Sequence, residues 1–135
     1  MRLIDANVVI RYLIDEDTDQ GRRSLALLLK VSTGEEQVTI CEGALSEIVH
    51  VLSSKALYAR PREEIALRLA AVIELRGLVL QNKDVYLTGL DRYTASSIDF
   101  VDCLNIAHMQ ELGITEIVSF DRHFDRVEGI TRVEP

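Results

Sequence analysis

The chain has 135 residues, with 22 acidic side chains against 15 lysines and arginines, and its formal net charge is -7 at pH 7. This length predicts a single domain over residues 1–135 with one sizeable core. The negative charge argues against a protein that holds nucleic acid by bulk attraction, but it leaves open an enzyme that acts on nucleic acid through a metal site.

Two features of the chain bear on its compartment. The segment after Met1 meets Asp5 too early to form the apolar stretch of a signal peptide, and no apolar run approaches the length of a membrane span. Cys41 and Cys103 both lie in apolar surroundings, so we expect two buried free thiols rather than a disulfide or a metal pair. Together these features predict a cytoplasmic protein without a membrane segment.

The N-terminal segment predicts a strand that is followed at once by a helix. A short apolar run ends at Asp5, and apolar residues at helical spacing follow from Val8 to Leu13. The next stretch is rich in acids and turn-forming residues. We expect an exposed loop there, with the N-cap of the second helix at Thr18 or Asp19.

The remaining chain alternates between helical and strand patterns. Helices are predicted over residues 22–31, 44–56, 61–76, 84–95 and 100–111. Strands are predicted over residues 38–41, 78–80 and 115–120, with a last edge strand over 130–133. We expect Pro61 in the first turn of its helix and Gly113 as a C-terminal cap. This alternation predicts an α/β fold with a mostly parallel central sheet of about four to five strands flanked by helices, whose carboxyl ends share one edge.

Several carboxylates follow a strand end or open a helix, and this fold would direct them to the same edge. They are Asp5, Glu47, Asp99, Asp102 and Asp121. Ionised carboxylates in so small a volume repel one another unless a cation compensates. Because Mg²⁺ and Mn²⁺ prefer oxygen ligands, a cluster of three or four acids predicts a metal site.

Each acid also has a simpler role that the sequence leaves open. Asp5 would suit the cap of the first helix, Glu47 a solvated helix surface, and Asp121 a turn at a strand end. Asp99 and Asp102 are three residues apart, as in an N-cap and its partner, and for Asp99 we favour the capping role. The apolar neighbours of Asp102 argue against simple exposure.

Other site chemistries have little support in the sequence. His50, His108 and His123 do not share a ligand spacing, and we expect His50 and His108 to be core or interface residues. The glycines are isolated, so no phosphate-binding loop is predicted. No serine lies in the pattern of a nucleophile elbow, which argues against a Ser-His-Asp hydrolase.

Four segments of the chain resemble the motifs of PIN domains. They are Leu3-Ile4-Asp5-Ala6-Asn7, Leu45-Ser46-Glu47-Ile48 with Val51-Leu52, residues 99–107, and residues 117–124. Their order and spacing cover essentially the whole chain, and the closest resemblance is to the compact bacterial and archaeal VapC-type toxins of toxin–antitoxin pairs. The departures are slight, since Ser119 stands where threonine is common and Cys103 where alanine is common.

The resemblance implies a metal-dependent endoribonuclease that hydrolyses RNA phosphodiester bonds, as the toxin of a type II toxin–antitoxin pair that inhibits translation. It places Mg²⁺ or Mn²⁺ ligands at Asp5, Glu47, Asp102 and Asp121, and supporting polar groups at Asn7, Asp99 and Ser119. It also implies a homodimer and a small antitoxin partner. Arginines that would suit flanking phosphates are Arg11, Arg60, Arg62 and Arg122.

Two other functions compete with the nuclease. The first is a PIN fold that serves only as a protein-binding module, although such a module has no reason to keep clustered acids. The second is a phosphotransfer enzyme with Asp5 as its nucleophile. Enzymes of that class also use a lysine at the catalytic edge, and the lysines fall in or beside predicted helices, at Lys30, Lys55 and Lys83.

Overall fold

The computed structural model describes residues 1–135. Its elements follow in the order β1 (Arg2–Leu3), α1 (Ala6–Leu13), α2 (Asp19–Thr33), β2 (Val38–Thr39), α3 (Glu42–Ser53), α4 (Arg62–Ile73), α5 (Lys83–Ala95), α6 (Phe100–Leu112), β3 (Glu116–Val118), a 3-10 helix (Arg122–Arg126) and β4 (Thr131–Val133). Six α-helices and short parallel strands confirm the predicted α/β class.

The strands form two separate parallel pairs. In the first pair Arg2 of β1 lies opposite Val38 of β2, and in the second Glu116 of β3 lies opposite Thr131 of β4. No ladder of hydrogen bonds joins β1 to β3. The prediction of one central sheet with four to five strands is therefore wrong in this respect, although the parallel direction of the strands is confirmed.

The strand predicted over residues 78–80 is reduced to a single bridge, in which Leu78 lies opposite Val38. The amide of Val38 donates to the carbonyl of Gly77 at 2.9 Å, and that of Val79 donates to Val38 at 2.8 Å. A Cβ atom at Gly77 would lie 2.1 Å from the carbonyl oxygen of Glu36. Only glycine therefore permits this close crossing of two backbone segments.

The ends of the helices follow from local capping chemistry. The hydroxyl of Thr18 accepts a hydrogen bond from the amide of Gly21, which confirms one of the two predicted N-caps of α2. Pro61 occupies the N-cap position of α4, one residue before its first turn. Gly113 ends α6 in the left-handed conformation at φ 68°, as predicted.

The main core is a cluster of 26 buried residues to which Ile4, β2 and all six helices contribute. It includes Ile4, Ile48, Leu69 and Leu104, each at most 5% exposed. A second, much smaller cluster consists of Ile106, Phe124 and Val127 and packs the C-terminal segment against α6. The segment that carries the 3-10 helix thus has its own small core.

The two cysteines differ in their surroundings. Cys103 is buried and free, as predicted, with its thiol 3.6 Å from the carbonyl oxygen of Ile98. Cys41 is also free but exposed, so the prediction of its burial is wrong. Its position directly before the first turn of α3 places it at the surface, whereas the apolar face of that helix begins at Ala44. None of the helices combines the length and the apolar character that crossing a membrane requires.

Candidate functional site

The first predicted acid lies at the junction of β1 and α1. Asp5 occupies the N-cap position of α1 with an extended backbone, at φ -84° and ψ 155°. Its exposed carboxylate makes no capping hydrogen bond, so it remains free for another partner. Asn7 is also exposed, in the first turn of the same helix.

Glu47 and Asp99 are exposed on two other helices. Glu47 lies on α3, next to Ile48, which is fully buried. Asp99 occupies the N-cap position of α6, but its carboxylate makes no capping hydrogen bond. The backbone carbonyl of Asp99 instead accepts the amide of Cys103 at 2.9 Å. The prediction that the Asp99 carboxylate caps α6 is therefore wrong.

A network of local hydrogen bonds holds Asp121 in place. Asp121 precedes the 3-10 helix, and its Oδ1 accepts the backbone amide of His123 at 3.2 Å. The amide of Asp121 itself donates to the hydroxyl of Ser119 at 3.0 Å. Ser119 therefore contacts the backbone of the acid that it was expected to support.

Asp102, Asp121 and His123 form the one group of three potential ligand side chains whose ligand atoms all lie within 4.8 Å of one another. Asp102 lies in the first turn of α6 and is half-buried. The Nδ1 atom of His123 lies 2.6 Å from Oδ1 of Asp121, and its Nε2 lies 3.4 Å from Oδ2 of Asp102. The structure thus brings together two of the four predicted ligands and adds an imidazole.

The surroundings of Asp102 disfavour its ionised form. Burial raises the pKa of Asp102 above its ordinary range, and the negative charges of Asp121 and Asp99 raise it further. The charge of His123 and a hydrogen bond with Asn105 act in the opposite direction. A cation placed among these carboxylates would stabilise the ionised state.

This group has the chemistry of a divalent metal site. The Nε2 atom of His123 is buried and has no hydrogen-bond partner, so it offers a free position next to the carboxylate of Asp102. Two carboxylates and one imidazole suit Mn²⁺ and other first-row ions, and the carboxylates also suit Mg²⁺. The residues present therefore fit a bound divalent ion.

Asp5 and Glu47 do not join this group. Their predicted convergence with Asp121 rested on one continuous sheet edge. Because β1 and β3 belong to different pairs of strands, the residue after β1 and the residue that follows β3 do not share such an edge. Helix α3 nevertheless packs against both α1 and α6, so it links the two parts of the predicted site.

A groove of about 660 Å³ runs beside Asp102, between α3 and the ends of α4, α5 and α6. Arg60 and Arg62 line it together with Asp99 and Asp102. The guanidinium of Arg62 stacks on Tyr93 at 3.6 Å and donates to its carbonyl at 2.7 Å, so it serves the fold. Arg60 is exposed and pairs only with Glu64, at 3.2 Å, so it remains available to an anion.

A second groove, of about 610 Å³, lies between α1 and α2, and none of Asp102, Asp121 and His123 lines it. Asn7 lines it, as do Arg2, Arg11 and Arg23. Each of these arginines pairs with a carboxylate, on Glu36, Glu16 and Asp19 respectively. Asn7 and Arg11 therefore line a different groove from Asp99 and Asp102.

Reasoning from the sequence missed His123. No ligand spacing relates the three histidines in the sequence, because the partners of His123 are aspartates. His50 is exposed rather than buried, and His108 is half-exposed with its Nε2 atom 2.6 Å from Glu42. The signal that was present is the position of His123 two residues after Asp121, where a 3-10 turn brings the two side chains together.

Comparison with known proteins finds related sequences over nearly the whole chain. The family model described as the PIN domain matches residues 2–130. A protein named VapC ribonuclease from Aquifex aeolicus is 24% identical over 135 residues, covering 100% of this chain and 97% of the relative. A protein named Ribonuclease VapC37 from Mycobacterium tuberculosis is 27% identical over 144 residues, again covering 100% of this chain and 97% of the relative.

Proposed function

Because the chain belongs to the PIN domain family, we propose that it is a Mg²⁺- or Mn²⁺-dependent endoribonuclease. We propose further that it is the toxin of a type II toxin–antitoxin pair and inhibits translation by cutting RNA. One observation carries the proposal: Asp102 and Asp121 meet at a metal-compatible group beside a groove. The names of its VapC relatives give independent support.

In this proposal Asp5, Glu47, Asp102 and Asp121 hold one or two ions, and Asn7, Asp99 and Ser119 support them. Asp102 and Asp121 already share the group described above. Asp5 and Glu47 extend from α1 and α3, which pack on one another, while α3 also packs on α6.

A bound divalent ion would polarise a phosphate oxygen and make a water molecule a stronger nucleophile near neutral pH. Glu47, which is exposed, would orient this water for in-line attack on phosphorus and take up its proton. The bond between phosphorus and the 3′ oxygen then breaks, and the 3′ oxygen acquires a proton. The products are a 5′-phosphate and a free 3′-hydroxyl. Arg60, in the groove, would neutralise a flanking phosphate.

The remaining parts of the proposal concern location and assembly. We propose a homodimer in the cytoplasm and a small antitoxin as the cognate partner. Leu25 and Leu29 of α2 are exposed, so this helix has apolar surface available to a second protein. The acidic net charge agrees with a nuclease that binds RNA through metal and a few arginines rather than through bulk attraction.

The test is cleavage of total cellular RNA by the purified protein, with Mg²⁺, with Mn²⁺ and with excess chelator. We expect discrete fragments with 5′-phosphate ends when either ion is present, and none with the chelator. Asp102→Asn should abolish cleavage, whereas Asp91→Asn, an exposed acid of α5 outside the site, should retain it. Cleavage that persists in chelator or in Asp102→Asn would refute the proposed mechanism.

A further inference from the structure

The imidazole of His123 is held in one orientation by Asp121. Oδ1 of Asp121 lies 2.6 Å from Nδ1 and 3.2 Å from the backbone amide of the same histidine. An ionised carboxylate only accepts hydrogen bonds, so Nδ1 carries the proton. In the neutral ring, the lone pair that binds a metal is consequently on Nε2.

The Nε2 atom faces Asp102 without a hydrogen bond. It is buried, it has no hydrogen-bond partner, and it lies 3.4 Å from Oδ2 of the carboxylate. A lone pair that faces a carboxylate oxygen in a buried position is unfavourable unless a proton or a metal ion lies between them. A further feature of a metal-binding histidine is present, since the second nitrogen of His123 donates to the carboxylate of Asp121.

The separation of these two atoms suits ligands of one ion. Bonds from nitrogen and oxygen to a first-row divalent ion are about 2.1 Å long. Two such ligands lie about 3.0 Å apart at a right angle and about 3.4 Å apart at a tetrahedral angle. The observed distance of 3.4 Å between Nε2 of His123 and Oδ2 of Asp102 falls in this range.

We propose that His123 is itself a metal ligand, binding one divalent ion through Nε2 together with Asp102, while Oδ1 of Asp121 orients the ring from Nδ1 and Oδ2 of Asp121 stays available to an ion. Imidazole nitrogen is a good ligand for transition-metal ions, whereas Mg²⁺ prefers oxygen. The site therefore favours Mn²⁺ over Mg²⁺. This inference rests on the proposed nuclease function for the assumption that an ion binds here, and it adds a ligand and a metal preference.

The test reads the ligand directly, without RNA. Mn²⁺ bound to the full chain is examined by electron spin-echo envelope modulation, which detects a nitrogen nucleus coordinated to the ion. We expect imidazole nitrogen modulation in the wild type, and a changed pattern when the histidines carry ¹⁵N. His123→Gln should lose the modulation and weaken Mn²⁺ binding by roughly tenfold or more, with a smaller effect on Mg²⁺. His108→Gln, which alters a histidine bound to Glu42, should retain both.

The outcomes separate this inference from the nuclease. Bound Mn²⁺ without nitrogen modulation, modulation that survives His123→Gln, or no Mn²⁺ binding at all would overturn the assignment of His123. RNA cleavage that continues with Mn²⁺ in the first two cases, or with Mg²⁺ in the third, would leave the proposed nuclease intact. Nitrogen modulation that depends on His123, in a protein that cuts no RNA, would support the ligand and refute the nuclease.

Discussion

Truncation of Phe124 tests whether the small C-terminal core holds the metal-binding group in place. Phe124 is 3% exposed and packs with Ile106 and Val127, apart from the main core. Its ring lies 4.2 Å from that of His123, centroid to centroid. We therefore expect Phe124→Ala to release Asp121 and His123 while the rest of the domain stays folded.

The expected loss can be estimated from burial. Replacing a buried phenylalanine by alanine costs about 3–5 kcal/mol, because contacts are lost and a cavity remains. Only three buried residues form this cluster, whereas 26 buried residues form the main core. A loss of this size exceeds what so small a cluster can absorb, so the segment from β3 to β4 should open locally.

Amide hydrogen exchange resolves this local opening. An equilibrium constant changes tenfold for about every 1.4 kcal/mol. The loss of stability in Phe124→Ala therefore corresponds to a decrease in amide protection of roughly two to three and a half orders of magnitude. We expect this decrease over residues 116–133 and little change in α1, α3 and α4. Phe120→Ala is the matched control, since Phe120 lies in the same segment and is 73% exposed.

Two results would refute this reasoning. Protection that falls equally in all helices would mean that the C-terminal segment unfolds only with the whole domain. Equal behaviour of the Phe120 and Phe124 variants would mean that the small cluster contributes nothing to the stability of the segment.

Three further predictions concern the site and the chain crossing. The pKa of Asp102 is raised in the folded state, so the stability of the protein falls as the pH rises from the unfolded-state pKa through the folded-state pKa. Asp102→Asn removes the ionised carboxylate and should therefore raise the Tm of the metal-free protein near neutral pH. At about pH 3, where Asp102 is protonated in both states, the Tm should not rise. Ser119→Ala removes the acceptor for the Asp121 amide. It should lower the free energy of unfolding in urea by about 0.5–1.5 kcal/mol and slow RNA cleavage. Ser119→Thr keeps a hydroxyl and should change neither. Gly77→Ala forces a Cβ to within 2.1 Å of the Glu36 carbonyl oxygen and should destabilise by at least about 1–3 kcal/mol; an unchanged urea midpoint would contradict this.

The helices were predicted well because their signals are local. Apolar spacing and the capping chemistry of Thr18 and Gly113 depend on residues within one or two turns. The observed ends of the helices differ from the predicted ones by only a few residues, as in α2, which extends from Asp19 to Thr33 where the sequence predicted 22–31. Such boundaries depend on the last hydrogen bonds of each helix, which apolar spacing does not define.

The sheet was predicted less well because its hydrogen bonds join distant segments. The pattern at residues 78–80 is β-prone, but only Leu78 forms a bridge, since a turn at residues 81–82 leads directly into α5. Apolar alternation does not reveal which strands pair, and so the break between β1 and β3 was not foreseen.

Within the candidate site, the types of residue were predictable and their grouping was only partly so. The rule that acids follow strand ends or open helices identified Asp121 and Asp102, which the structure brings together. It did not reveal that Asp5 lies outside this group, because that depends on how the two strand pairs are arranged. Nor did it identify His123, whose role depends on a 3-10 turn and on the neighbouring helix α6.

The most direct test of the proposed active site is the effect of Asp5→Asn on Mg²⁺-dependent RNA cleavage. Asp5 is exposed and makes no capping hydrogen bond, so the substitution should leave the thermal unfolding of the protein essentially unchanged. If the acids act together on a bound ion, cleavage should be abolished while the protein stays folded. Full cleavage activity in a folded Asp5→Asn protein would contradict the assignment of the site.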